Sequence, residues 1–199
     1  MAAFVASLVV QDRGCLVVGG DAEAAEKAAR LAAAGARVTL VAEAVDPAVE
    51  DLHRRGVVRW EARAFDPARD LCDPPFVVVS TVDDDAFSED LRARARAVGA
   101  VVCCVDRPAH CDFFHTAQGA VGALTLGVAS EGRAPALAKR LRDELVAGLD
   151  APLRALTEAL VALRESTPRT ERRARMAEAL RGLRVELTVH LPPWVRGQS

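Results

Sequence analysis

The apolar residues of the chain occur in short runs separated by amphipathic stretches. Residues 16–18 form an apolar run that ends in a Gly-Gly pair, an alanine-rich stretch follows as far as Gly35, and a second run begins at residue 38. This order predicts a strand, a tight turn, a helix and a second strand, with about the length of the first βαβ unit of a dinucleotide-binding fold. Such a turn presents backbone N–H groups and the positive end of a helix dipole to a pyrophosphate.

The same alternation continues through the first half of the chain. It predicts helices over residues 46–55 and 86–98 and strands over residues 57–60, 76–80 and 100–105. Continuous apolar strands between helices are typical of a parallel sheet that is covered on both faces. The first part of the chain is therefore predicted to be an α/β domain with a Rossmann-like parallel sheet.

The pattern changes after Asp106. Residues 113–114 and 123–129 are predicted to be strands without a helix between them, in an antiparallel or exchanged pair. The loop SEGRAP, residues 130–135, leads into an amphipathic helix with leucines at four-residue spacing. Two further amphipathic helices and a loose tail over residues 190–199 complete the prediction, with helices over residues 136–149, 152–166 and 170–183.

Composition and charge exclude several classes of function. The net charge is -2, only 4% of the residues are aromatic and tyrosine is absent, which argues against a partner such as nucleic acid or a membrane surface. No apolar run approaches the roughly 20 residues that a membrane span needs. Five scattered cysteines and the lack of a secretory signal favour a reducing compartment, so we expect a cytoplasmic protein.

The Gly-Gly turn departs from the dinucleotide fingerprint. Aligned to G-x-G-x-x-G/A, it places Asp21 where the second glycine belongs. The alternatives are a βαβ unit without a ligand and a dinucleotide site. Thr81 favours the site, because it follows a buried strand at the sheet edge where ligands bind. We expect Asp84 and Asp85, just beyond, to lie in a solvated turn that caps the next helix.

Asp106 ends the predicted strand over residues 100–105 at the same edge of the sheet. A carboxylate in this place can act as a general acid or base, or orient a substrate. The equal alternative is an aspartate that caps a turn before an X-Pro step. The residues alone leave both open.

A cluster of thiols and imidazoles surrounds this strand end. Its spacing matches no standard zinc pattern, and adjacent cysteines on a strand point to opposite faces, so we predict buried apolar cysteines and no metal ligands. The two histidines stay candidates for proton carriers or weak ligands. The cluster comprises Cys103, Cys104, His110, Cys111 and His115.

Basic residues follow the SEGRAP loop: Arg133, Lys139, Arg140 and Arg142. One interpretation is the solvated face of an amphipathic helix, which we prefer for Lys139. The other is pairing with a polycarboxylate, because an arginine binds a carboxylate through two parallel hydrogen bonds.

Together, these motifs resemble the precorrin-2 dehydrogenase / sirohydrochlorin ferrochelatase family, the N-terminal module of sirohaem synthase. The resemblance covers about residues 4–183 and rests on four motifs in order, at residues 16–42, 77–85, 102–114 and 128–145. The last motif, VASEGRAPALAKRLRDEL, is the most distinctive, because ordinary Rossmann proteins lack a Ser-x-Gly-x-x-Pro helix start after such a strand pair.

The resemblance implies a homodimer with three parts in each chain. These are an NAD-binding Rossmann domain (residues 1–114), a dimerisation segment with exchanged strands (115–148) and a small C-terminal helical domain (149–199). It implies the NAD-dependent oxidation of precorrin-2 to sirohydrochlorin and, in some members, the insertion of ferrous iron to give sirohaem. The alternative is a chelatase or non-catalytic tetrapyrrole-binding dimer that no longer uses NAD, which Asp21 motivates.

The resemblance also implies roles for individual residues. The essential aspartate falls on Asp106. The expected NAD contacts are Gly19, Gly20, Asp21, Ala22, Glu23, Glu43, Ala44 and Thr81. Because the tetrapyrrole substrate carries many carboxylates, its expected partners are Ser130, Arg133, Arg142 and His110.

Overall fold

The computed structural model describes residues 4–193, except for the side chains at positions 150 and 152. Strands and helices alternate in the first part of the chain, because each apolar run is followed by a turn and a helix-capping residue. Asp21, Asp46 and Asp84 each accept a hydrogen bond from a backbone N–H in the first turn of the helix that follows. The elements are β1 (Gly14–Val18), α1 (Ala22–Ala33), β2 (Arg37–Val41), α2 (Pro47–Arg54), β3 (Arg59–Glu61), α3 (Pro67–Asp70), β4 (Val77–Ser80), α4 (Asp85–Ala97) and β5 (Val101–Cys104).

These five strands form one parallel sheet in the order β3-β2-β1-β4-β5. Leu16 of β1, for example, lies opposite Thr39 on one side and Val78 on the other. The chain order reverses between β1 and β4, and ligands of open α/β sheets bind in the crevice at the carboxyl ends of such a pair. The predicted Rossmann-like α/β fold is therefore confirmed.

The core has two layers, one on each face of the sheet. Val17 and Val79 belong to the layer that packs against α1 and α2, whereas Leu16 and Val78 belong to the layer that packs against α4. Successive strand residues point to opposite faces, so a strand that is covered on both faces must be apolar throughout. This accounts for the uninterrupted apolar runs.

The second part of the chain begins after a short 3-10 turn, Pro108–His110. It contains the hairpin strands β6 (Ala117–Val121) and β7 (Leu124–Val128) and the helices α5 (Pro135–Gly148), α6 (Asp150–Ser166) and α7 (Arg172–Ala179). None of the helices in residues 4–193 combines the length and the apolar character required to cross a bilayer.

The chain divides into two compact units. Among the described residues, one contains residues 4–118 and 127–142, and the other contains residues 119–126 and 143–193. In the second unit the hairpin turn packs on α6: the Thr157 hydroxyl accepts a hydrogen bond from the Ala123 N–H at 3.1 Å. The three-part division and the dimerisation segment stay predictions.

Some predicted elements differ from the structure. The strand predicted over residues 113–114 is wrong: Phe113 lies in a bend, Phe114 has no regular structure, and the strand begins at Ala117. Phe113 packs against the core as a single side chain, which explains the apolar signal. The short helix α3 was missed, and α7 is shorter than predicted. Residues 190–193 have no regular structure, and the rest of the predicted tail lies outside the described residues.

Candidate functional site at the carboxyl edge of the sheet

The Gly-Gly turn after β1 requires both glycines. Gly19 has φ 126°, a conformation that L side chains rarely adopt, and a Cβ at this position would lie 2.2 Å from Thr81 Oγ1. A Cβ at Gly20 would lie 2.1 Å from the carbonyl oxygen of Ala44. The turn is therefore wedged between the chain segments that follow β4 and β2. The structure thus brings together the predicted residues Gly19, Gly20, Ala44 and Thr81.

Thr81 places a polar group at the crevice. Its N–H donates to the Val18 carbonyl at 3.0 Å, which ties the end of β4 to the end of β1. Its hydroxyl is buried and has no hydrogen-bond partner in the part of the chain that the structure describes. Buried polar atoms are nearly always paired, so an unpaired one at a ligand-binding edge points to a ligand.

Asp21 is the N-cap of α1. Its carboxylate accepts a hydrogen bond from the Ala24 N–H at 2.7 Å, and its backbone is extended, with φ -79° and ψ 177°. This conformation needs no glycine, which explains how the fingerprint glycine can be replaced here. The N–H groups of Ala22 and Glu23, in the first turn of α1, have no acceptor within the helix and can face an anion.

The segment after β2 runs past the Gly-Gly turn. The Asp46 N–H donates to the Gly20 carbonyl at 2.6 Å, and the Trp60 indole N–H donates to the Ala42 carbonyl at 3.0 Å. Glu43 follows Ala42 and is exposed. An acidic side chain shortly after the second strand is where Rossmann domains bind the ribose hydroxyls of NAD.

Asp106 lies in a strained turn after β5. Its φ is 57°, and the turn is closed by a hydrogen bond from the Arg107 N–H to the Cys104 carbonyl at 3.1 Å. The carboxylate is exposed and has no hydrogen bond or ion pair to any residue in the described range 4–193. The following 3-10 turn has no side-chain cap. Within the described residues, the structure therefore argues against the capping interpretation of Asp106.

Charged residues link this turn to the start of α4. Arg107 Nη2 lies 2.6 Å from Asp83 Oδ1, and His110 Nε2 lies 3.1 Å from Asp85 Oδ1. Asp84 caps α4 as predicted. Asp85 pairs with His110, so it is not merely a solvated turn residue. Arg107 is a residue that sequence reasoning missed, because nothing local indicates a pairing with a residue 24 positions earlier.

The SEGRAP loop approaches the Asp106 loop. The Arg133 N–H donates to the Ser130 carbonyl at 2.9 Å, and both intervening residues have positive φ, 52° at Glu131 and 74° at Gly132. This is the conformation of a type I′ turn. A Cβ on Gly132 would lie 3.8 Å from Pro108 Cγ, so Ser130 and its turn pack beside the loop that carries Asp106.

The two arginines expected to bind substrate differ in their surroundings. Arg133 is 81% exposed and pairs loosely with Glu131 at 3.5 Å, so its guanidinium is accessible. Arg142 donates from Nη1 to the Gln118 carbonyl at 2.7 Å, at the beginning of the hairpin. At least part of the Arg142 guanidinium is therefore used to bind α5 to β6.

The cysteines near the site are buried, as predicted. Burial raises the pKa of Cys104 to about 11, and the hydrogen bond with Cys111, together with burial, raises the pKa of Cys103. Among the described residues, no group of three His, Cys, Asp or Glu side chains is arranged to hold a metal ion.

His115, the remaining member of the predicted cluster of thiols and imidazoles, has its own environment. Its Nε2 is buried without a partner in the described part of the chain. Burial, and next the charge of Lys27, lower its pKa to about 4. The imidazole is therefore neutral at physiological pH.

Comparisons with known proteins agree with the fold described above. Residues 6–117 match the model of a family described as "Putative NAD(P)-binding". The chain is 34% identical over 149 residues to Siroheme synthase 1 of Serratia proteamaculans, which covers 75% of this chain and 31% of that protein. It is 37% identical over 138 residues to siroheme synthase of Thiobacillus denitrificans, covering 69% of this chain and 28% of that one. The chain thus spans about a third of the length of these curated relatives.

The solved structure of SirC, precorrin-2 dehydrogenase, has the same fold. It matches with a TM-score of 0.69 at 22% sequence identity, covering 88% of each chain. The chain therefore belongs to the NAD(P)-binding family matched over residues 6–117, and the resemblance to the precorrin-2 dehydrogenase module of sirohaem synthase is confirmed.

Proposed function

We propose that this protein catalyses the NAD-dependent oxidation of precorrin-2 to sirohydrochlorin. One observation carries the proposal: neighbouring strands of the sheet end in a glycine turn over the buried Thr81 hydroxyl and in the exposed Asp106 carboxylate, and neither group has a partner among residues 4–193. The first arrangement suits a dinucleotide and the second suits proton transfer. The names of the similar proteins, siroheme synthase and precorrin-2 dehydrogenase, support this chemistry.

The residues at the β1 and β4 ends fit a nicotinamide dinucleotide. The Gly19–Gly20 turn leads into the N-terminus of α1, so a pyrophosphate would approach the backbone there, with the N–H groups of Ala22 and Glu23 as donors. Thr81 offers its hydroxyl. Glu43 favours NAD over NADP, because a carboxylate accepts from ribose hydroxyls and repels a 2′-phosphate. When bound, NAD supplies the hydride acceptor.

The oxidation removes a hydride and a proton from the macrocycle, and Asp106 is proposed to take the proton. Its carboxylate competes with no protein donor in the described structure, so it can face the substrate. Substrate carboxylates would pair with Arg133, whose guanidinium is exposed, beside the Ser130 turn. His110 and Arg142 are second choices, since Asp85 and the Gln118 carbonyl already contact them.

The assembly and the compartment are also proposals. We infer a homodimer with the three-part division predicted from the sequence. In its favour, exposed apolar side chains occur on α5, where Leu137 is 58% exposed and Leu141 is 39% exposed. All five cysteines are free thiols, which supports a reducing compartment such as the cytoplasm.

The decisive experiment is a titration with NAD followed by turnover of precorrin-2, read as NADH absorbance. Asp106→Asn should lower turnover to a small residual rate and leave the Kd for NAD unchanged. Asp12→Asn is the matched control, because Asp12 is also an exposed aspartate with φ 57°, at the opposite edge of the sheet. No NAD binding at millimolar concentration, or full turnover by Asp106→Asn, would overturn the proposal.

We propose insertion of ferrous iron into sirohydrochlorin as a second candidate activity of the same site. The iron would be a substrate, and Asp106 would accept protons from the pyrrole nitrogens. Iron insertion without NAD, in a protein that fails to oxidise precorrin-2, would favour the alternative of a chelatase that no longer uses NAD.

A further inference from the structure

No side-chain contact among residues 4–193 fixes the Asp106 carboxylate, so its position depends on the backbone turn that carries it. Its side chain contacts no hydrogen-bonding or charged partner among residues 4–193, and its φ of 57° is unfavourable for a residue with a Cβ. Such a conformation persists only where the surrounding structure holds it. The groups that hold the turn therefore determine where the carboxylate points.

The thiol of Cys111 contacts both ends of this turn. Its Sγ lies 3.1 Å from the Cys104 carbonyl oxygen and 3.4 Å from the Arg107 carbonyl oxygen, the residues that flank Val105 and Asp106. The Cys104 carbonyl also accepts the Arg107 N–H that closes the turn. Cys111 is only 4% exposed, so water cannot easily replace the thiol as a donor.

The segment that carries Cys111 is itself fixed to β5. The Asp112 N–H donates to the Val102 carbonyl at 2.7 Å, and the Asp112 carboxylate accepts from the Val102 N–H at 3.2 Å. Arg92 of α4 pairs with that carboxylate at 3.2 Å. The thiol is thus attached to the sheet on one side and contacts the turn on the other.

We propose that Cys111 is a positioning residue that holds the 104–107 turn and so aims the Asp106 carboxylate at the substrate. This inference rests on the proposed function. A displacement of about 1 Å in a catalytic group can cost up to about a hundredfold in rate. The proposed NAD contacts lie on other loops, so cofactor affinity should not depend on the thiol.

The test compares Cys111→Ala with Cys104→Ala in the full chain. Cys104 is the matched control: it is also a buried thiol, 1% exposed, but its Sγ faces the Ser88 carbonyl on α4 at 3.9 Å. We expect kcat to fall about tenfold in Cys111→Ala and less than about twofold in Cys104→Ala, with the Kd for NAD unchanged in both. Cys111→Ser, which keeps a donor, should recover most of kcat.

A double-mutant cycle of Cys111 and Asp106 distinguishes positioning of the carboxylate from a merely structural role of the thiol. If Cys111 acts through Asp106, Cys111→Ala should leave the residual turnover of Asp106→Asn unchanged. If Cys111→Ala does not fold, Cys111→Val replaces it, because valine fills the space of the thiol but has no hydrogen-bond donor. The comparison is then between Cys111→Val and Cys111→Ser.

The outcomes separate this inference from the proposed function. If Asp106→Asn keeps only a small residual turnover while Cys111→Ala and Cys104→Ala lose kcat equally, the positioning role is refuted and the function stands. Equal rates for Cys111→Ser and Cys111→Val refute it as well. Full activity of Asp106→Asn refutes the catalytic assignment itself.

Discussion

The buried hydroxyl of Thr81 leads to an unusual prediction: Thr81→Val should stabilise the free protein and weaken its affinity for NAD. Thr81 Oγ1 is buried beside Gly19 and has no partner within the described residues. A buried polar group without a hydrogen bond costs about 1–3 kcal/mol. Valine has nearly the same shape without the hydroxyl, so the substitution removes this cost.

We take the lower end of that range and expect the free energy of unfolding to rise by about 1 kcal/mol. For a chain of this size, that corresponds to an increase in Tm of roughly 2–4 °C. The loss of one hydrogen bond to the ligand should raise the Kd for NAD about five- to tenfold. The two effects have opposite signs, which a general packing defect would not produce.

Thr167→Val is the matched control. The Thr167 hydroxyl is also buried, with 6% of the residue exposed, but it donates to the Leu163 carbonyl at 2.6 Å. Its replacement should therefore lower Tm and leave the Kd for NAD unchanged. Calorimetric melting without ligand, and titration calorimetry with NAD, measure both quantities. A lower Tm for Thr81→Val, or an unchanged Kd, would refute the reasoning.

Three further predictions follow from the same structure. Gly20→Ala places a Cβ 2.1 Å from the Ala44 carbonyl oxygen, so it should lower stability by about 1–3 kcal/mol and abolish NAD binding in a titration; wild-type affinity would contradict this. Asp21→Asn keeps the cap of α1 and removes its charge, so Tm should hold while the affinity for NAD rises, most clearly at low salt; weaker binding would contradict it. The pKa of His115 falls from 6.5 to about 4 on folding, so the unfolded chain binds more protons between these values. The contribution of His115 to the free energy of unfolding should therefore be complete above pH 6.5. It should decrease by roughly 3 kcal/mol as the pH falls from 6.5 to about 4. His115→Gln should flatten this part of the denaturation profile, and an unchanged slope would refute the assignment.

The sequence predicts most helices and strands of the first domain because their signals are local. The apolar runs at β1, β4 and β5 mark strands that are buried on both faces, and Gly35 and Gly99 follow the helices that they end. The one incorrect strand, at residues 113–114, had an apolar signal that came from the packing of Phe113 rather than from strand pairing. Short apolar segments do not distinguish these two causes.

The sequence also predicted, through motifs at strand ends, most of the residues that the structure places at the carboxyl edge of the sheet. It could not predict their partners. Whether Asp106 caps its own turn was undecidable from the residues, because the answer depends on the φ of one residue and on donors elsewhere. Arg107 and Cys111 were not predicted as site residues, since their roles come from Asp83 and from the carbonyls of the turn.

The sequence alone therefore determined most of the elements, the glycine turn and the family, since apolar periodicity, capping residues and motif order are properties of neighbouring residues. Only the tertiary structure decided that the Thr81 hydroxyl is buried beneath Gly19, that Asp21 caps α1, and that the Gly132 turn packs beside Pro108. Strand order brings together chain segments that are distant in sequence. Whether a polar atom there is paired depends on all the groups that the fold brings around it.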